Sequence, residues 1–211
     1  MAEAALYNSK GEKVEDIVLP DRVFNAAPSQ ALLYHALVRL GRVRRVGSVN
    51  VKRRDEVNRT SAKWYRQKGT GHARHGSRSA AGFVGGYKAH GPHGRRTWDA
   101  LPLRARRQAM FAAVSDKRRH GRLTVLDRFG IEDYSTKRFT EILHSLEAHG
   151  KVLVLVGPQE DPEQKIYRSG RNIPGVVIRV APHVSLQDVM VADRLILTQG
   201  GLETLQEVWL S

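Results

Sequence analysis

The apolar positions change rhythm several times along this 211-residue chain. From Pro28 to Leu40, Leu32, Leu33, Ala36, Leu37 and Leu40 recur at three- and four-residue intervals. That spacing predicts a helix beginning at Pro28 or Ser29. Leu103 to Arg119 predicts a second helix, with Ala109, Met110, Ala113 and Val114 on its apolar side. Arg104, Arg106, Arg107, Lys117, Arg118 and Arg119 fall on the other side, and Gly121 breaks it. LTVLD (123–127) predicts a short strand. Thr136 to His149 predicts a third helix with Phe139, Ile142, Leu143 and Leu146 on one face and Gly150 as its stop. The unbroken runs KVLVLVG (151–157) and GVVIRV (175–180) predict strands covered on both faces. A short helix after Pro162, a helix from Ser185 through Ala192, a strand at Leu195 to Leu197 and a helix from Leu202 to Trp209 complete the pattern. Ser185 and Asp188 have the spacing of a capping box. No element is assigned before Pro28.

Apolar strands alternating with amphipathic helices predict an α/β fold, a mostly parallel sheet with helices on both faces. Between the first and second helices the pattern fails. Residues 42–98 hold 15 Lys and Arg against two acids, and eight of the 26 residues from Gly69 to Gly94 are glycine. Such a segment buries too little apolar area to offset its ordering entropy, so by itself it is expected to be extended or disordered. The predicted organisation is a globular α/β domain formed by 1–41 and 101–211, with 42–100 as an extended basic loop inserted between two helices. An irregular insertion of this length is usually functional.

Charge sharpens the division. The chain carries a net +14, yet 23 of its 35 cations and only four of its 21 acids lie between Arg39 and Arg122. The rest of the chain is net −5. A cationic middle in a mildly acidic body predicts a polyanionic partner. The absence of cysteine removes disulfides, thiol nucleophiles, Cys-ligated zinc and iron–sulfur clusters. No apolar run approaches the roughly 20 residues of a membrane helix. The opening MAEAALYNSKGEKVEDIVLP has the pattern of neither a signal nor a transit peptide. The expectation is a soluble cytoplasmic protein with no membrane partner.

The densest stretch, 63–78, combines three resources. Its cations attract phosphate, and arginine adds bidentate hydrogen bonds. Trp64 and Tyr65 offer faces to unpaired bases. Gly69, Gly71 and Gly76 allow backbone amides to approach a phosphate. An irregular loop suits folded RNA better than a DNA duplex, which is usually read by a helix or ribbon. Other chemistry is weaker. His72, His75, His90 and His93 form two H-x-x-H pairs, but no carboxylate within the pairs orients them as zinc ligands. Gly69-x-Gly71 lacks the GK[ST] ending of a phosphate loop. Asp127, Glu132 and Asp133 read as a strand end and polar turn rather than an acid–base pair, and Val156–Gly157–Pro158 as a plain turn. His35 and His144 read as helix-face residues, and Trp209 as a packing anchor.

KWYRQKGTGHARHGS (63–77) resembles the signature of the large-subunit ribosomal protein four family, the L-four family, bacterial type. VGSVNVKRRDEV (46–57), FVGG (83–86), HGP (90–92), LPLRARRQAM (101–110), NIPGVV (172–177), SLQDVMVADRLILT (185–198) and LETLQE (202–207) are similar to other stretches of that family. The resemblance covers nearly the whole chain and is weakest before Pro28. Where members commonly carry a Gly-Val-Val-Phe-Gly-Pro-Lys type of run, this chain has Tyr87 to His93.

The resemblance implies a globular domain on the surface of the large ribosomal subunit and a loop threading its rRNA. It implies that the tip, Lys63 to Arg74, reaches the wall of the nascent-peptide exit tunnel, with Arg44 to Arg59 as one flank. The candidate RNA-binding residues are Arg44, Arg45, Lys52, Arg53, Arg54, Arg59, Lys63, Trp64, Tyr65, Arg66, Gln67, Lys68, Gly69, Thr70, Gly71, His72, Arg74, His75, Arg78, Lys88, Arg95 and Arg96. The expected partners are large-subunit rRNA, neighbouring large-subunit proteins and the nascent peptide near the tip. No catalytic residue, metal, cofactor or small-molecule substrate is expected. The alternatives are a free RNA-binding regulator, such as a repressor of its own ribosomal-protein operon or a transcription antiterminator, and a metal-dependent enzyme with a basic lid.

Overall fold

A computed structural model of the chain describes residues 2–210 except 28, 95–100, 132 and 162. Two compact units are present, Met1–Leu40 with Ala100–Ser211, and Gly41–Asp99.

In the first unit, Ala2, Ala4 and Leu6 alternate along β1 (Ala2–Tyr7), and Ile17 and Leu19 alternate along β2 (Lys13–Leu19). The two strands pair antiparallel with Ala2 opposite Leu19 and Ala4 opposite Ile17, so one face of the hairpin is apolar. Asn8 closes the turn, its side-chain oxygen accepting the backbone N–H groups of Lys10 and Glu12, both at 2.9 Å. This hairpin is absent from the sequence reading. Two of the three apolar positions on β1 are alanine, and β2 opens with Lys13, Glu15 and Asp16, which leaves a weak periodic signal.

The elements that follow are α1 (Asp21–Phe24), α2 (Gln30–Val43), α3 (Leu103–Arg119), β3 (Leu123–Leu126), α4 (Thr136–Ser145), β4 (Val152–Val156), α5 (Lys165–Gly170), β5 (Val176–Val180), α6 (Leu186–Val191), β6 (Arg194–Thr198) and α7 (Gln199–Leu210). Among the described residues, six strands form one sheet in the order β2-β1-β3-β6-β4-β5. Only β1 with β2 is antiparallel; the other four pairings are parallel.

All five residues of β4 are buried because the sheet is covered twice. Leu153 and Leu155 join β6 residues Leu195 and Leu197 in a core with residues of α1, α2, α3, α6 and α7. Val152, Val154 and Val156 join Ile196 in a second core with Phe139, Ile142 and Leu143 of α4 and Ile166 of α5. The body therefore has the expected α/β architecture, a mostly parallel sheet with helices on both faces.

Three local readings are corrected. First, α4 ends at Ser145 rather than His149. Glu147 takes a left-handed φ of 51°. Its N–H bonds to the His144 carbonyl at 3.0 Å, and the Ala148 N–H bonds to that of Leu143 at 2.9 Å. This is a Schellman closure with Glu where glycine is usual. Second, Lys117 is not on a solvated face. It is 6% exposed, because α3 is packed against α1 on one side and α6 on another. Third, the capping box at Ser185 is half formed. The Ser185 hydroxyl accepts the Gln187 N–H at 3.3 Å, but the Asp188 carboxylate binds Arg179 at 3.2 Å instead of turning back.

Candidate nucleic-acid interface

The second unit takes in the last three residues of α2, and among its described residues 44–94 contain no helix or strand. Polar side chains and turns replace a ladder. The N–H of Val51 donates to the Pro92 carbonyl at 3.2 Å and that of Lys88 to Lys52 at 3.2 Å. Further along, Ser77 Oγ donates to the Thr60 carbonyl at 2.8 Å and Arg59 to that of Arg78 at 3.3 Å. The Trp64 N–H reaches the Gly76 carbonyl at 3.1 Å. These bonds tie an outgoing limb, 50–64, to a returning limb, 76–93. The segment is irregular but doubled back on itself.

All twelve described cations of the candidate set are exposed: Arg44, Arg45, Lys52, Arg53, Arg54, Arg59, Lys63, Arg66, Lys68, Arg74, Arg78 and Lys88. Several are held by neutral acceptors. Lys63 Nζ donates to Gln67 Oε1 at 2.7 Å and to the His75 carbonyl at 3.2 Å. Arg66 donates to the Gly69 carbonyl at 2.9 Å, and Arg53 to the His93 Nδ1 at 3.3 Å. Such bonds fix position and leave the positive charge available to an anion. Arg95 and Arg96 lie outside the described residues.

The aromatic candidates are less open than expected. Trp64, 45% exposed, has the Arg78 guanidinium 4.6 Å from its ring centroid. Phe83 meets it edge to face at 5.1 Å. His75 lies 5.9 Å from Trp64 and 4.9 Å from Phe83. The Tyr65 hydroxyl donates to the Ala73 carbonyl, and its ring lies 6.3 Å from that of His72. Gln67, Gly69, Gly71 and His72 are exposed, and Thr70 is half-buried. Gly69 and Gly71 have φ of +77° and +68°, so their backbone conformation already favours glycine. Phe83 was missed by the sequence reading because it is a lone aromatic among glycines.

The body uses part of its own basic charge internally. Arg118 donates to the Phe24 carbonyl at 2.9 Å and Arg119 to that of Ala26 at 2.7 Å. At the carboxyl ends of β3, β4 and β6, where open α/β sheets hold ligands, lies a crevice of about 790 Å³ lined by Asp127, Arg128, Glu160, Asp161, Glu163 and Lys165 among others. Glu160, on its wall, accepts the backbone N–H groups of Gly157 and Gly200, and its own N–H closes the turn after β4 onto the Gly157 carbonyl at 3.1 Å. Among the described residues no group of three or more His, Asp or Glu is placed to hold a metal ion. No helix among them is long and apolar enough to cross a membrane.

Comparison with known proteins adds an independent finding. Residues 17–208 match the model of the ribosomal protein L4/L1 family. The chain is 36% identical over 208 residues to the large ribosomal subunit protein uL4 of Symbiobacterium thermophilum, covering 99% of each chain. It is also 36% identical over 208 residues to the uL4 of Brevibacillus brevis, again over 99% of each. With the uL4 of Natranaerobius thermophilus it shares 34% identity over 209 residues, 99% of this chain and 100% of the relative.

Proposed function

The chain belongs to the ribosomal protein L4/L1 family, and from that premise we propose that it is a structural, non-enzymatic constituent of the bacterial large ribosomal subunit in the cytoplasm, with rRNA and other ribosomal proteins as its partners. The observation that carries this reading is the exposed cationic set of the arm, Arg44 through Lys88, within which Arg59, Lys63 and Arg66 rest on backbone carbonyls and Arg78 on an indole ring. The α/β body is the scaffold, and residues 42–100 are the rRNA-threading insertion.

On this reading the cations bind phosphates, while Gly69 and Gly71 keep the tip backbone open to RNA. Arg95 and Arg96 belong to the same set by their place in the sequence. The segment Lys63 to Arg74 lies at the wall of the nascent-peptide exit tunnel, and the emerging peptide passes it. Autogenous repression is a separate activity and is not favoured by any feature of the body or arm.

The test is quantitative co-sedimentation. Large subunits are isolated on a sucrose gradient, washed in high salt, and the protein counted per subunit. One copy surviving the wash is the expected result. Release by salt, or a peak among free proteins, overturns it. The tunnel placement is tested with subunits carrying Arg66, Lys68 and Arg74 replaced. Altered sensitivity to tunnel-binding drugs or stalling peptides is expected, and unchanged sensitivity overturns it.

A further inference from the structure

We infer that Trp64 is a positioning residue that locks the two limbs of the arm together and presents its cations as one set, rather than a platform on which a base stacks; this rests on the RNA-binding reading above. The indole sits at the end of the outgoing limb; besides Tyr65 next to it in the chain, 5.5 Å away, and His75, it meets Arg78 and Phe83 of the returning limb. The Arg78 guanidinium lies over one face at 4.6 Å. Phe83 packs against it at 5.1 Å with the rings at 83°. His75 closes the cluster, 4.9 Å from Phe83. The backbone repeats the link, Trp64 N–H to the Gly76 carbonyl at 3.1 Å.

Edge-to-face rings and a guanidinium over an indole are mutually attractive arrangements. Among residues 44–94, which hold no helix or strand, they help to fix where Lys63, Arg66 and Arg78 stand. A base stacking on Trp64 would have to displace the Arg78 guanidinium from that face. That face of the indole is therefore already used, and its contribution to RNA binding passes through the charged groups it positions.

The distinction is measurable because neutralised phosphates set the salt dependence of binding, whereas base stacking does not. Full-length protein is titrated with a large-subunit rRNA transcript across a salt series, with the body's urea midpoint checked in each variant. Trp64→Ala and Phe83→Ala, both uncharged changes, are each expected to weaken binding about three- to tenfold, the range such ring pairs support. Each is also expected to flatten the log–log salt slope by about 0.7–0.9 for every phosphate that is no longer neutralised. Phe83→Tyr, which keeps the ring, is expected to restore both. The inference is overturned if Trp64→Ala binds weakly with the wild-type slope, or if Phe83→Ala binds as the wild type does. A flat salt response of the wild-type protein sinks the RNA-binding reading itself, and is seen before any variant is compared.

Discussion

The carboxylate of Glu160 accepts the backbone N–H of Gly200 at 2.9 Å, joining the loop after β4 to the first turn of α7. Its second oxygen accepts the Gly157 N–H at 2.8 Å and the Thr198 hydroxyl. Gly157 and Gly200 let the carboxylate come this close: a Cβ on Gly200 would lie 2.8 Å from Glu160 Oε1, and one on Gly157 2.7 Å from the Gly200 carbonyl carbon. Helix α7 begins directly after β6, with Gly200 inside its first turn, where a side-chain carboxylate satisfies an otherwise orphaned amide.

Glu160→Ala should therefore destabilise the body by about 2–3 kcal/mol, because two amides and a hydroxyl lose a charged acceptor at once. Glu160→Gln keeps one acceptor oxygen and should fall between. Urea unfolding of the full-length protein gives both values. An alanine variant as stable as the wild type would show that the loop finds other partners.

Lys117 provides a pH signature. Burial, and then the nearby Arg122 charge, hold its ammonium below the ordinary lysine value. Its Nζ donates to the Ala192 carbonyl at 2.5 Å. Between the lowered folded value and the ordinary one, the unfolded chain binds more protons than the folded one, so stability rises with pH there. Relative to Lys117→Met, the wild type should gain stability as pH climbs through that window. A difference between the two that stays constant with pH would contradict this.

Ser115 fastens α1 to α3. Its buried hydroxyl donates to the Val23 carbonyl at 3.0 Å and accepts the Ala26 N–H at 3.0 Å. Ser115→Ala leaves both groups without that partner and should cost about 1–2 kcal/mol. The measurement is the shift in denaturation midpoint, and an unchanged midpoint would mean solvent replaces the hydroxyl.

In the arm, Lys68→Ala and Arg74→Ala should each lower the salt slope of rRNA binding by about 0.7–0.9, while leaving the unfolding of the body unchanged. Gly86→Ala is expected to act without touching charge. The new Cβ would lie 2.1 Å from the Ala80 carbonyl oxygen, so the returning limb must shift. Weaker RNA binding with an unchanged unfolding midpoint is the expected outcome; wild-type binding would show that the limb tolerates the shift.

The strands most legible in the sequence were those the sheet buries on both sides. Val152 to Val156 form a continuous apolar run because helices cover both faces, and the same is largely true of β6. The N-terminal hairpin was not legible, because on β1 the inner face begins with the small Ala2 and Ala4, and on β2 its apolar residues Ile17 and Leu19 come only after a charged stretch. The end of α4 was misread for a related reason. Gly150 looked like the stop, but the chain had already turned at Glu147, a residue type that seldom takes a positive φ.

Apolar periodicity together with charge segregation was enough to predict an α/β body interrupted by a cationic arm, because core formation needs apolar periodicity and residues 42–98 have almost none. The sequence also placed the cations, since nothing in that segment can bury them. Only tertiary structure decided which polar groups serve the protein itself. Lys117, Arg118 and Arg119 look alike along α3, yet packing against α1 and α6 turns one inward and sets the other two on backbone carbonyls. Trp64 and Phe83 are 19 positions apart, and they meet only because the arm doubles back. Long-range pairings of this kind depend on where the chain returns in space, which no local pattern encodes.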